Sequence, residues 1–148
     1  MTVADLLRRL RNRVLGVRRD LVRYAIQPDL ELRVYWKALG IGRGPTAALY
    51  VARTEALRFD CFGPRGHYHV FVAGDSRRRY FSETAVDEQI ERSGRELLQN
   101  LRAHLAASAD PAIREFRTDP RALEGAVTWM TATMKEYAVI AVPAARRA

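Results

Sequence analysis

The chain is poor in the residues that do most covalent and metal chemistry. Its 148 residues hold one cysteine, Cys61, and three histidines. One cysteine excludes an intrachain disulfide and any cysteine-based zinc knuckle. Lysine is nearly absent too: Lys37 and Lys135 stand against 23 arginines. No apolar run reaches the length of a membrane span. The longest, residues 137–145, is interrupted by Pro143. The arginine-rich start lacks the apolar stretch of a secretory leader. A cytoplasmic setting is the expectation, and a reducing compartment is permitted. No Ser–His–Asp set, P-loop or dinucleotide fingerprint appears, nor any repeat or low-complexity segment.

What is present is an apolar content of 48% in a chain the size of one domain, residues 1–148, enough to build a core without staples. The formal charge is +8, distributed as +5 over residues 1–27, +4 over 28–82 and −1 over 83–148. The excess arginine beside so much alanine, leucine and valine is what GC-rich coding produces. It is therefore a poor guide to nucleic-acid binding.

Periodicity divides the chain in three. Val3, Leu7, Leu10, Val14, Val17 and Leu21 recur at spacings of four and three. This predicts one long, basic amphipathic helix over residues 1–27, stopped at Pro28-Asp29. Residues 30–74 then alternate with period two and predict a four-stranded antiparallel meander. Its turns are read at residues 40–45 and 63–66. The second turn would set Phe62 against His67 and Asp60 against His69, with Cys61 and Tyr68 on the inner face. Residues 83–142 return to helical spacing. Thr84 is the expected N-cap of the first helix, with supporting pairs Glu88–Arg92 and Glu91–Arg95. Asp110-Pro111 and Asp119-Pro120 are start signals for two more helices, and residues 139–142 are β-branched enough to be a strand. The expected fold is thus α+β: a long N-terminal helix, a four-stranded meander, and two to three C-terminal helices on one face of the sheet.

Three functional readings follow. The first is a non-catalytic protein-interaction or assembly module, self-associating or the small subunit of a larger complex. Its seam would be Leu7, Leu10, Val14, Val17 and Leu21, and the protein would not be monomeric. The alternative is a nucleic-acid-binding protein using Arg8, Arg11 and Arg18 with the run Arg77, Arg78 and Arg79. The third is a small enzyme or ligand binder, with a pocket between sheet and helices around Trp36, Tyr50 and Tyr68. Catalytic equipment is sparse, which favours a non-enzyme, and no cofactor is expected. His67 and His69 share a strand face with Asp60 and offer three metal ligands. The missing fourth favours an exposed polar patch and no stoichiometric zinc. A membrane partner is disfavoured by Asp5, Asp20 and a stripe without Trp or Phe.

Overall fold

In the computed structural model, residues 1–7, 17–40, 42–72 and 75–147 are described, the side chains of 141–147 excepted. A short helical piece, α1 (3–7), precedes six strands: β1 (Val17–Gln27), β2 (Leu30–Leu39), β3 (Gly42–Val51), β4 (Thr54–Asp60), β5 (His67–Val72) and β6 (Asp75–Tyr80). Three helices follow: α2 (Val86–Ala106), α3 (Pro111–Arg114) and α4 (Pro120–Arg147). The strands form one antiparallel sheet in sequence order.

This corrects the expected fold in two places. The long helix expected over residues 1–27 is overturned: Val17–Gln27 is a strand paired with β2, and among the described residues of this segment helix is limited to 3–7. The segment carries two periods at once. Val22, Tyr24 and Ile26 alternate as readily as Val14, Val17 and Leu21 follow a heptad. Pro28-Asp29, read as a helix stop, is a two-residue turn, with Gln27 opposite Leu30 and Asp29 at φ 63°. The sheet also has six strands, not four. The arginine run lies in β6, because the outer edge of β5 offers a ladder that a polar segment can complete. A charged edge strand resists further pairing.

Register was misread in detail but not in parity. Asp60 faces His67 and Arg58 faces His69, a shift of two residues, because Gly63–Arg65 forms a 3-10 turn and lengthens the connection. A shift of two keeps every side chain on its expected face. Cys61 and Tyr68 accordingly sit in the helix-side core. The glycine-rich 40–45 stretch is mostly strand, since Leu39 pairs with Gly42 and Trp36 with Pro45. A Cβ on Gly44 would lie 2.4 Å from the Cys61 carbonyl oxygen, so the close approach of backbone there needs glycine.

The helices α2 and α4 cover one face. Leu32, Val34, Leu49, Leu57, Phe59 and Val70 meet Ile90, Leu97, Leu101, Val127, Met130 and Met134 in one cluster. Gly94 lets α2 approach α4, and α4 continues through Pro143, so residues 139–142 are helical. Helix α2 begins after Ala85, without a side-chain cap from Thr84. Its ion pairs run Arg92–Glu96, Arg92–Glu83 and Glu91–Lys135 instead of the two expected. Asp110 and Asp119 do cap, accepting from the amides of Ala112 and Arg121. Among the described residues no helix is long and apolar enough to cross a membrane.

Candidate functional site

The face of the sheet turned away from α2 and α4 carries the unusual chemistry. Strand alternation puts Tyr35 and Lys37 there from β2, Thr46 from β3, Arg58 and Asp60 from β4, and His67 and His69 from β5. Tyr35, Thr46, Asp60 and His67 stand in one cross-strand row, with Arg58 and His69 in the next. Such a face ordinarily stays wet. Here Asp60 is 0% exposed, Lys37 and Tyr35 3%, His67 1% and His69 5%. Rings and guanidinium planes roof the cluster. Phe62 and Tyr80 flank His67, Phe71 stacks on His69, Arg58 lies over Phe71 and Arg18 over Tyr35.

Asp60 is the hub. Its Oδ1 accepts from Thr46 Oγ1 at 3.0 Å and lies 3.5 Å from Lys37 Nζ. Its Oδ2 faces His67 Nε2 at 3.1 Å, Arg58 Nε at 3.4 Å and His69 Nε2 at 3.6 Å. Burial alone would raise its pKa. The imidazole nitrogens of His67 and His69 beside it and the charges of Lys37 and Arg58 outweigh burial and hold the carboxyl well below the usual carboxylate range. Burial lowers the pKa of Lys37 and of His69, with Asp60 opposing in each case. Glu55 completes the charge balance by accepting from Arg58 Nη1 at 2.9 Å.

The outer nitrogens of the two imidazoles are also engaged. His67 Nδ1 lies 2.9 Å from the Arg65 carbonyl oxygen, and His69 Nδ1 lies 2.7 Å from Ser76 Oγ. Three ligand atoms, one each from Asp60, His67 and His69, fall within 4.8 Å of one another. On the same face the Tyr35 hydroxyl is buried without a hydrogen-bond partner among the described residues. Burial is the main cause of its raised pKa.

The sequence-derived candidates scatter by comparison. Leu10, Val14, Arg8 and Arg11 lie outside the described residues. Leu7 is exposed in α1, while Val17 and Leu21 are exposed on β1. Arg18 belongs to β1 and Arg77–Arg79 to β6, opposite edge strands of the sheet. Within β6 the run alternates faces. Arg77 and Arg79 line a hollow with Arg92 and Glu96 on the helix side, and Arg78 pairs with His69 on the other. Trp36, Tyr50 and Tyr68 line three separate hollows, not one pocket. Cys61 is buried in hydrogen-bond contact with Ser93 Oγ, and burial pushes its thiol up to about 12, which disfavours the thiolate.

A second feature is apolar. Apart from Tyr80 and Leu98, the exposed large hydrophobics among the described residues lie in the first seven residues, in β1 or near the end of α4. Tyr137 Oη donates to the Asp20 carbonyl oxygen, binding α4 to β1 at the point where Val17, Leu21 and Val22 emerge. Val139 and Ile140, each 70% exposed, follow directly.

Lys37, Thr46, Tyr35 and Arg58 were not singled out from sequence, because period two shows only which face a residue takes, not whether that face is covered. One signal was legible: a lysine is conspicuous in a chain that otherwise uses arginine. No family model, no curated protein and no solved structure matches this chain.

Proposed function

We propose that the chain is a non-catalytic assembly protein, the small subunit of a larger complex, which docks an acidic protein partner where β1 meets the end of α4. The supporting observation is the exposed group Val17, Leu21, Val22, Val139 and Ile140, gathered where Tyr137 ties α4 to Asp20. Contiguous exposed apolar side chains mark interaction surfaces. The bulge between Arg19 and Val22 interrupts the ladder, so side chains make the contact and no strand is added. Arg19 and Arg23 stand exposed within the same strand, and residues 1–27 carry +5. A second copy would set like charge against like, whereas an acidic surface complements it. Nucleic acid has less in its favour, since the basic segments lie on opposite edges of the sheet and form no single stripe.

The test is purification of the tagged wild type and of a Leu21→Gln/Ile140→Gln variant from the native host. The expected result is one acidic protein, stoichiometric with the wild type and absent from the variant. It should be released at about 0.5 M salt, where screening leaves a Debye length of only a few ångströms. A wild type that elutes alone and sediments as a monomer overturns the proposal. A homodimer dissociated by the variant overturns the choice of partner.

A further inference from the structure

We propose that Asp60, His67 and His69 bind one zinc-class divalent metal ion on the face of the sheet opposite the helices. A carbonyl oxygen only accepts, so the 2.9 Å contact to Arg65 places a proton on His67 Nδ1. In the neutral ring Nε2 then carries a lone pair, and it points at a carboxylate oxygen 3.1 Å away. Two lone pairs at that distance repel unless something positive lies between them. A second proton or a metal ion meets that need.

Two observations favour the metal. Ligands held tetrahedrally at about 2.1 Å from zinc stand roughly 3.4 Å apart. The distances from Asp60 Oδ2 to His67 Nε2 and His69 Nε2, 3.1 and 3.6 Å, bracket that spacing, and the second is too long for a good hydrogen bond. Metal-binding imidazoles characteristically anchor their other nitrogen to a carbonyl or hydroxyl, as the Arg65 carbonyl and Ser76 Oγ do here. The sequence read the missing fourth side chain as an argument against a metal. A water-derived ligand fills that position in many zinc sites.

Lys37 and Arg58 are the obstacle, since a dication is placed beside two cations. Lys37 engages Oδ1, shared with Thr46, and leaves Oδ2 to the imidazoles. Arg58 keeps Glu55 when the metal takes its place at Oδ2. With hydroxide as fourth ligand, the zinc site carries the same net charge as the metal-free site with one imidazolium.

The experiment titrates the metal-free full-length chain with cobalt(II). One equivalent should produce the strong visible absorption of a four-coordinate ion, and zinc should displace it. His67→Ala and His69→Ala should each lower affinity at least about 100-fold, and Ser76→Ala about tenfold. His104→Ala, at a remote Glu96 pair, should change nothing. Binding that is not saturable at one equivalent, or that survives both His67→Ala and His69→Ala, overturns the proposal. Should the alanine variants fail to fold, imidazole nitrogen shifts of the wild type decide. Zinc must move Nε2 of His67 and His69 and leave His104 in place, and any other pattern overturns the assignment.

Discussion

Asp60 has no exposed surface, yet it stays ionised because Thr46, Lys37, Arg58 and the two histidines all turn toward it. The pairing is asymmetric. Lys37→Met removes one of several cations and replaces it with a chain of similar length. Asp60→Asn leaves Lys37 and Arg58 facing a neutral group in a buried place. Removing one partner of a buried pair typically costs about 3–5 kcal/mol when the other charge is left uncompensated, and Asp60 without Lys37 still keeps Arg58, Thr46 and the two imidazoles. Asp60→Asn is therefore expected to destabilise by that amount and Lys37→Met by much less. Urea denaturation of the two variants compares them, and equal losses would show that Asp60 is not the hub. Gln89 plays a comparable part at the 3-10 turn. Its fully buried amide accepts from the Gly63 amide and donates to the carbonyls of Gly63 and Glu83. Nothing in its sequence neighbourhood distinguishes it from the exposed glutamates around it.

At the scale of elements, helix spacing was reliable where apolar stripes were long, as in α2 and the first turns of α4. It misled over β1, where two periods coexist and the choice between them lies outside the segment. A helix there would satisfy its own backbone. A strand instead pairs with the edge of β2, and Tyr24 then stacks against Trp129 of α4 at 4.9 Å. The turn between β3 and β4 is another place where sequence signals are weak. Ala52 and Arg53 occupy positive φ of 48° and 68°, a conformation usually taken by Asn-Gly. Replacing Arg53 by Gly should relieve this strain and stabilise the fold by about 0.5–1 kcal/mol, despite the added freedom of the unfolded chain. A lower melting temperature in Arg53→Gly would show that the side chain of Arg53 contributes more than its backbone costs.

At the scale of the molecule, two buried carboxylates set the acid limit of stability. For Glu96, burial would raise the pKa, but hydrogen bonds from His104, Asn100 and Arg92 outweigh it and lower the value, as happens at Asp60. Both groups thus titrate lower in the folded chain than in the unfolded chain, where values near 4.3 and 3.9 apply. The unfolded state binds more protons around pH 4, so the stabilisation is fully present above these values. It is lost as pH falls through the folded ones. Denaturation midpoints of the metal-free chain should therefore hold down to about pH 5 and drop steeply from pH 4 to pH 3. Glu96→Gln should flatten part of that drop. A wild-type profile flat from pH 5 to pH 3 would contradict the paired state of both carboxylates.

The sequence by itself determined the α+β class, the faces of β2 to β5, the starts of α3 and α4, and the company of Asp60, His67 and His69 on one face. All of these depend on local periodicity or on cap chemistry within a few residues. The tertiary structure decided the fate of β1 and β6, the two-residue shift between β4 and β5, and the burial of the polar face. Edge pairing depends on what a neighbouring strand leaves unsatisfied. Burial depends on what folds over a face, here Arg58, Phe62, Phe71 and Tyr80, brought together by the pairing of β4, β5 and β6, and Arg18 from β1. Periodicity within residues 58–80 does not show how β4, β5 and β6 pair or that Arg18 of β1 covers Tyr35, so Asp60 and its histidines read as a solvated patch until the fold brought the roof over them.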